Sequence, residues 1–383
     1  MSNPKLTSLV FFLFVISFPT IESTTFPADT AALAAFKSAV KPSSIPPSSC
    51  LASWNFSAAD PCGVPRISHF TCGVTCSGNR VVQITLDSQG YVGTLTPAIS
   101  KLSQLIALDL GDNSFYGAIP SSISSITNLE TLILRVNSFS GPVPAAIAKL
   151  SALETLDLSR NQLSGHLPDL SSLAGLTRLD ASYNRLTGPL PSLPPNLHEL
   201  ALKANSLSGS LTKSSFAGKN RLVVIELSEN SFTGALESWF FLLPAIQQVD
   251  LANNAFAGIA VSKPPANFNS QLVAVNLSYN NMEGLLPATF ADFPALRSLA
   301  VSHNKFRGPI PWQYSKKGSP LRRLYLDGNY LNGHPPAGLL AAAEEISGSL
   351  GDNCLQNCPV SSGLCSTPQK PNSICQQAYR GKP

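Results

Sequence analysis

The sequence predicts an α/β solenoid, in which short parallel strands from successive repeats stack into one long sheet. Three observations lead to this expectation. The stretch LDLSRNQLSGHLP at 156–168 returns in related form about every two dozen residues. Within each copy leucine alternates with other residues, as in a strand with one buried face. All cysteines lie before or after the series of copies, where a solenoid needs caps.

Ten copies of the repeat fall into register on one asparagine. These are Asn113, Asn137, Asn161, Asn184, Asn205, Asn230, Asn254, Asn280, Asn304 and Asn329. Successive asparagines are 21 to 26 residues apart. A period in this range is typical of a solenoid, because one unit cannot bury its own apolar face and must stack on its neighbours.

Each asparagine is preceded by a strand pattern, L-x-x-L-x-L-x-x-N. Leu153, Leu156 and Leu158 precede Asn161 in this way. The L-x-L alternation places one face inward and the residues between the leucines outward. An eleventh, degenerate unit ends at Gln89, so we expect about eleven strands and, at about 4.8 Å per strand, a sheet roughly 48 Å long.

The asparagine itself has a structural explanation. The chain turns after the strand and leaves backbone groups unpaired inside the stack, where each would cost about 1 to 3 kcal/mol. An amide side chain offers both donors and an acceptor. We therefore expect a column of asparagines that bonds the backbone of its own turn and of the next.

Three further columns follow the asparagine. Two residues on, every copy has an apolar residue: Phe115, Phe139, Leu163, Leu186, Leu207, Phe232, Phe256, Met282, Phe306 and Leu331. Four residues on, every copy has glycine: Gly117, Gly141, Gly165, Gly188, Gly209, Gly234, Gly258, Gly284, Gly308 and Gly333. An invariant glycine indicates a positive φ or a close approach of the backbone. Seven residues on, proline occurs in seven copies, with exceptions at Thr212, Glu237 and Val261.

The N-terminal segment, residues 1–23, is predicted to be a signal peptide. Lys5 is followed by an apolar run over 6–18 and by small and polar residues up to Ser23. That run is too short to span a membrane, and the alternative is a buried N-terminal helix. No second apolar run of about 18 residues occurs, so we expect no transmembrane segment and a soluble protein outside the cell.

The eight cysteines form one cluster at each end of the repeats. They are Cys50, Cys62, Cys72, Cys76, Cys354, Cys358, Cys365 and Cys375. An even number in each cluster of an exported protein predicts two disulfides per end, although four cysteines permit three connectivities. Zinc binding is the rival interpretation. We expect an N-terminal cap over 24–79, repeats over 80–350 and a cysteine-containing C-terminal cap or tail over 351–383.

These motifs resemble a known family. The unit L-x-x-L-x-L-x-x-N-x-L-x-G-x-I-P is similar to the plant-type leucine-rich repeat. PADTAALAAFKSAV, LASWNFSAADPC and FTCGVTC resemble the N-terminal cap of plant receptor kinases, receptor-like proteins and polygalacturonase inhibitors. The resemblance covers roughly residues 27–360, without a kinase sequence. It implies a right-handed horseshoe or superhelix with the strand sheet on its concave face, and a Cys62–Cys76 bridge to which Cys50 and Cys72 add a second potential bridge.

The sequence carries no recognisable catalytic, cofactor or metal motif. The five histidines, His69, His166, His198, His303 and His334, form no i, i+4 metal pair. Hydrolase, zinc-protease and nucleotide-binding motifs are missing. Asp109 and Asp157 are interpreted as outward strand residues rather than a glycosidase pair. With 13% charged residues and a net charge of +4, the chain is also too weakly charged for a nucleic-acid binder.

Outward residues that the repeat does not dictate are the candidates for ligand binding. Arg135, Arg160, Arg178, Tyr183 and Lys203 are assigned to outward strand positions of the early and middle repeats, where they could meet an acidic partner. The alternative is ordinary solubility, with Asp157, Asp180 and Glu199 as counter-charges. Tyr279, His303 and Tyr325 are assigned to neighbouring concave columns, as stacking surface or as filler.

A second candidate is a basic segment over 293–326, which contains no acid. Its cations are Arg297, Lys305, Arg307, Lys316, Lys317, Arg322 and Arg323. Such a patch is expected to attract polyanions in a salt-sensitive way, and pectin is the abundant polyanion of a plant wall. Glycosylation sequons occur at Asn55 and Asn276, and a glycan at Asn276 would obstruct part of the concave face.

Together these features predict a secreted, non-catalytic recognition protein of the apoplast or cell wall. It would bind a protein or peptide ligand through its concave face, in plant signalling or defence and alongside a membrane co-receptor. A pectin-binding or polygalacturonase-inhibitor-like protein and a soluble receptor ectodomain are the alternatives. An enzyme is disfavoured by the missing motifs.

Overall fold

A computed structural model describes residues 24–63, 71–341 and 345–380. It shows an α/β solenoid with a disulfide-bonded segment at each end, as the sequence predicts. The predicted signal peptide, 1–23, and His69 lie outside the described residues.

The concave sheet has thirteen strands within the described residues, two more than expected. They are Val74–Ser77, Arg80–Thr85, Ala107–Asp109, Thr131–Ile133, Thr155–Asp157, Arg178–Asp180, Glu199–Ala201, Val224–Glu226, Gln248–Asp250, Ala274–Asn276, Ser298–Ala300, Arg323–Tyr325 and Ser347–Ser349. The first pair is antiparallel and all later pairs are parallel. The additional strands, Val74–Ser77 and Ser347–Ser349, lie at the two ends of the sheet.

A second layer of strands, which the sequence analysis missed, follows the asparagine column. Eight strands form one side sheet: Val92–Thr94, Ser114–Gly117, Ser138–Pro142, Gln162–His166, Arg185–Gly188, Ser206–Ser210, Ser231–Leu236 and Ala255–Ile259. Four form another: Glu283–Leu285, Lys305–Pro309, Tyr330–Gly333 and Cys354–Leu355. Nine of the ten apolar column residues are buried positions of these strands, and the exception, Met282, directly precedes Glu283–Leu285. A second period-2 segment is therefore the physical reason for the layer.

The helices are mostly short, and several of them follow a side-sheet strand. The 3-10 helices are Pro42–Ser44, Leu51–Ser53, Pro97–Lys101, Ser121–Ser125, Ala145–Lys149, Ser238–Leu242, Ala288–Asp292, Trp312–Ser315 and Gly363–Cys365, and the α-helices are Pro27–Ser38, Lys213–Phe216, Ala337–Ala341 and Asn372–Tyr379. Pro120 and Pro144 directly precede two of the 3-10 helices. Proline suits this position because its φ is fixed and it needs no backbone donor.

One continuous core runs through the solenoid, from Ala32 in the first helix to Cys365 near the C terminus. The leucines of the strand pattern are fully buried in it, as Leu153, Leu156 and Leu158 illustrate. Leu33 and Phe36 of the first helix cover its open end. Each repeat therefore buries its apolar face against its neighbours, as the period predicted.

The asparagine column forms a hydrogen-bond ladder. Asn161 Nδ2 donates to the backbone oxygens of Leu158 (3.1 Å) and Ser159 (3.1 Å) in its own turn, and to Leu134 O (2.9 Å). Its Oδ1 accepts from Phe139 N at 2.9 Å. The asparagine side chain therefore bonds the backbone of the preceding repeat, whereas the sequence predicted bonds to the next repeat. An eleventh member, Asn353, makes the same bonds and was missed from the sequence.

All eight cysteines are in disulfides, two at each end as predicted. Cys50 pairs with Cys72 and Cys62 with Cys76, as the resemblance implied, while Cys354 pairs with Cys375 and Cys358 with Cys365. These bonds exclude a cysteine zinc site. Disulfides indicate an oxidising, extracellular environment. Among the described helices, none combines the length and apolarity that a membrane crossing requires.

Candidate functional site on the concave face

The candidate site is a groove on the concave sheet. It crosses five consecutive strands, from Val224–Glu226 to Arg323–Tyr325, and we call it the concave groove. Its lining residues are Ile225, Glu226, Gln248, Val249, Asp250, Ala274, Val275, Asn276, Ser298, Ala300, Arg323 and Tyr325. The alternation of the strands turns the first and third residue of each one outward, and these residues form the surface of the groove.

The groove has a floor of small side chains between two charged ends. Ala274, Asn276, Ser298 and Ala300 come from the two central strands, which pair in register. Glu226 and Asp250 are paired neighbours at one end. Arg323 and Tyr325 stand on the last strand, next to Ser298 and Ala300 respectively. Small residues thus create the depression, and larger ones bound it.

Electrostatics distinguish the acidic end of the concave groove. Partial burial raises the pKa of the Glu226 carboxyl, and the nearby carboxylates of Asp250, Glu199 and Asp180 raise it further, while Lys203 opposes them. Within the described part of the chain the Glu226 side chain has neither a hydrogen bond nor an ion pair. A bound cation would relieve this repulsion.

The acidic end belongs to a longer column of acids at the last residue of the concave strands. Asp109, Asp157, Asp180 and Asp250 occupy it together with Glu226. Each aspartate accepts a hydrogen bond from the backbone N–H two residues on, as in Asp180 with Ser182 N at 2.9 Å. Asp109 and Asp157 are outward strand residues, as predicted. Alignment of the repeats would have revealed the column.

The eight predicted concave residues do not all lie in strands. Only Arg178 and Tyr325 do. Arg135 and Lys203 follow their strands, and the assignment of Arg160, Tyr183, Tyr279 and His303 to strand or concave columns is corrected: all four occupy the turn residue just before the asparagine, with φ between 53° and 57°. This left-handed conformation recurs before each asparagine, because the chain turns there from the concave strand to the side-sheet strand.

The turn residues form two stacks at the edge of the concave sheet. The Arg160 guanidinium lies 4.3 Å from the Tyr183 ring centroid, and Lys203 Nζ is 6.0 Å from the same ring. Tyr279 and His303 stack with their centroids 4.3 Å apart. Asp327 lies 3.5 Å from His303 Nε2. The structure therefore brings these predicted residues together as two separate groups, not as one site.

Three of the predicted cations are paired with acids. Arg135 bonds Asp112 at 2.9 Å, Arg178 bonds Glu199 at 3.2 Å and Lys203 bonds Glu229 at 3.1 Å. Glu199 is one of the expected counter-charges, whereas the other two acids were not foreseen. These ion pairs favour the solubility interpretation for the three cations.

The seven cations of the basic segment do not gather into one patch. Lys305 and Arg307 lie in a side sheet, and Lys316 and Lys317 follow a 3-10 helix. Arg307 and Lys316 meet Glu283 and Asp292, acids from outside the segment. Arg297, Arg322 and Arg323 are neighbours in the backbone, since the Arg322 and Arg323 N–H groups both bond Arg297 O at 2.9 Å. Arg297 and Arg322 line one depression, whereas Arg323 lines the concave groove. Folding separates positions that are close in sequence.

The two sequons lie in different settings. Asn55 is exposed in the N-terminal cap region. Asn276 is half-buried in the floor of the concave groove, and its Oδ1 accepts a hydrogen bond from Ser278 N at 3.2 Å. A glycan on Asn276 would therefore fill the groove, so occupancy of this sequon decides whether the groove is open.

Metal binding has no candidate site, because the described residues hold no group of three or more histidine, cysteine or acidic side chains placed around one ion.

Comparison with known proteins identifies the class of the repeats. The family described as leucine rich repeat matches residues 127–186 and 195–256. No curated protein matches the chain significantly. The chain is a leucine-rich repeat protein, and its repeats are of the plant extracellular type.

Three solved structures are similar to this chain. The crystal structure of PEPR1–AtPEP1 is 30% identical, with a TM-score of 0.76, over 86% of this chain and 46% of that one. The ectodomain of the membrane receptor kinase GASSHO1/SCHENGEN3 from Arabidopsis thaliana is 23% identical, with a TM-score of 0.67, over 92% and 49%. A plant ice-binding protein is 24% identical, with a TM-score of 0.60, over 91% and 99%. The last two share the fold alone, and the chain spans about half the length of the two receptor structures.

Proposed function

We propose that this chain is a secreted, non-catalytic recognition protein that binds a peptide or protein ligand in the concave groove. The observation that carries the proposal is the groove itself, with a small-residue floor and exposed charges at both ends. A sheet face of this kind can receive an extended chain whose side chains meet the outward columns. Signalling or defence in the apoplast, alongside a membrane co-receptor, is the setting we propose for it.

The similarity to the PEPR1–AtPEP1 structure supports the proposal. The sequence identity to that structure is 30%, and the alignment covers most of this chain. The four disulfides and the N-terminal signal sequence pattern also support passage to the outside of the cell.

A display experiment tests the proposed function. A random peptide library is selected on the immobilised full chain after enzymatic removal of any glycan from Asn276, and the enriched peptides are then measured on two variants. Ala300→Trp fills the groove floor, whereas the matched Ala257→Trp places the same bulk on a side sheet. We expect at least tenfold weaker binding to Ala300→Trp and unchanged binding to Ala257→Trp. Equal binding to both, or no enrichment, would contradict the proposal.

Pectin binding is the second candidate, favoured by Arg297 and Arg322, which line one depression, and by the neighbouring Arg323. Guanidinium groups pair well with carboxylates, and a polyanion would contact all three. Retention of the chain on immobilised polygalacturonate across a salt series tests it. Salt-reversible retention that disappears when the three arginines are changed to glutamine would support a wall location, and no retention at low salt would remove this candidate.

A further inference from the structure

The two ends of the concave groove carry opposite charge. The carboxylate end is formed by Glu226 and Asp250, and the cationic end by Arg323. Four strand steps separate Val224–Glu226 from Arg323–Tyr325. At about 4.8 Å per step, the ends are about 19 Å apart along the solenoid. The groove therefore has a direction, which any charged ligand must match.

Among the described residues, no cation forms an ion pair with the carboxylate end. Lys203, whose charge opposes the rise in the pKa of Glu226, is paired instead with Glu229 at 3.1 Å. Glu226 is exposed and, in the described part of the molecule, has no ion pair of its own. The neighbouring carboxylates of Asp250 and Asp180 repel its charge. A cationic side chain of a ligand would be attracted here by at least two carboxylates at once.

The cationic end has a free guanidinium. Arg322 donates to the backbone oxygens of Ser319 (3.0 Å) and Leu321 (2.8 Å), so part of its donor capacity is used. Arg323 is exposed, and over the described residues its side chain forms neither a hydrogen bond nor an ion pair. Its five donors in a planar fork suit a carboxylate. Tyr325, 39% exposed on the same strand, adds an aromatic surface beside it.

The floor between the ends carries no charge. Its outward residues are Ala274, Asn276, Ser298 and Ala300. Side chains of this size leave room for backbone and small ligand side chains, but they supply no electrostatic preference. Charge recognition is therefore concentrated at the two ends, and the floor fixes only the distance between them.

We infer that the concave groove binds an extended peptide with a cationic side chain against Glu226 and Asp250 and a carboxylate against Arg323. An extended chain advances about 3.3 Å per residue, so the two charged groups should be about six residues apart. This inference rests on the proposed function and adds the charge pattern of the ligand to it. The carboxylate could belong to an acidic side chain or to the C terminus of the peptide.

A positional-scanning library of nonapeptides, with free or amidated C termini, tests the charge pattern on the immobilised full chain. We expect enrichment of lysine or arginine at one position and of aspartate or glutamate five to seven positions away. A requirement for the free terminus would replace the acidic residue by the C-terminal carboxylate. The enriched peptides should lose at least tenfold in affinity on Glu226→Lys with Asp250→Lys, and on Arg323→Glu.

Two control variants change the same charges elsewhere. Glu237→Lys and Arg221→Glu alter exposed residues outside the groove and should leave affinity unchanged. Because Asp250 also accepts from Ala252 N, the milder pair Glu226→Gln and Asp250→Asn keeps the shapes and should still weaken binding. Enriched peptides without a charge preference, bound equally by the charge-reversal variants, would overturn the inference and leave the proposed function standing. Failure to enrich any peptide would overturn both.

Discussion

Single side chains stabilise this solenoid at positions where backbone N–H and C=O groups need side-chain hydrogen-bond partners. Asn329 is fully buried and donates to the backbone oxygens of Val301, Leu326 and Asp327, while it accepts from Phe306 N. It thus joins two repeats through four contacts. The residue before each asparagine adopts a left-handed turn, even where it is arginine, tyrosine or histidine.

We expect Asn329→Ala to destabilise the protein by about 2 to 4 kcal/mol, because it leaves buried donors and acceptors without partners. Chemical denaturation measures the change. Asn128→Ala removes an exposed amide and should cost less than about 1 kcal/mol. Equal effects of the two substitutions would contradict the structural role of the ladder.

The contributions of two aspartates to stability are expected to change with pH in opposite directions. Burial raises the pKa of Asp180, whereas hydrogen bonds from Ser171 lower the pKa of Asp169. A carboxyl group with a raised pKa contributes stability at pH values below its ordinary pKa. This contribution is lost as the pH rises through the raised pKa. Asp180→Asn should therefore raise Tm at pH 7 and leave it nearly unchanged at pH 3.

Asp169→Asn should instead lower Tm at pH 7, since a lowered pKa contributes stability above the ordinary value that is lost on acidification. Both effects should stay below about 1 kcal/mol, because both residues touch solvent. Thermal melts of the wild type and the two variants at both pH values check the signs. A loss of Tm for Asp180→Asn at pH 7 would contradict the account.

At this scale the sequence predicted the buried columns but not the turns. The asparagine, apolar and glycine columns are visible because one residue type recurs, and nine of the ten column glycines do have a positive φ, Gly258 being the exception. The left-handed residue before the asparagine varies from repeat to repeat. Its conformation is imposed by backbone bonds to the next repeat, such as Arg160 N to Ser182 O, and its own identity gives no signal.

The N-terminal helix, Pro27–Ser38, shows how an end element is fixed to the repeats. Asp29 is fully buried in its first turn and accepts from Arg80 Nε and Nη2, both at 3.0 Å, and from Val81 N at 2.9 Å. The sequence predicted the apolar stripe that covers the first repeat. It could not predict this ion pair, because an acid in a first helical turn also has a local explanation and its partner is 51 residues away.

We expect Asp29→Ala to destabilise the N-terminal cap by about 3 kcal/mol, since it leaves Arg80 and Val81 N without their buried partner. Hydrogen exchange should show faster opening of the first helix while the central repeats keep their protection, because a solenoid transmits stability mainly between neighbours. Arg135→Ala, which removes the exposed pair with Asp112, should cost less than about 1 kcal/mol. Uniform loss of protection along the chain would contradict this expectation.

The whole molecule combines a regular scaffold with one irregular region of its concave face. The scaffold follows from the period, because each repeat contributes one strand to the concave sheet. The concave groove arises where small residues in two strands lie between charged ones, and this depends on which repeats become neighbours in register. The sequence analysis therefore found Tyr325 and Arg323 as members of separate sets and missed Glu226 and Asp250.

The most direct test of the account locates the bound ligand. A photo-cross-linking phenylalanine derivative is placed at Ser298, in the groove floor, or at the matched half-buried Ser208, on a side sheet. Each protein is irradiated with a peptide enriched on the wild type, and the adducts are quantified by mass spectrometry. We predict an adduct at Ser298 and none at Ser208. An adduct at Ser208 alone, or equal amounts at both positions, would show that the concave groove is not the binding site.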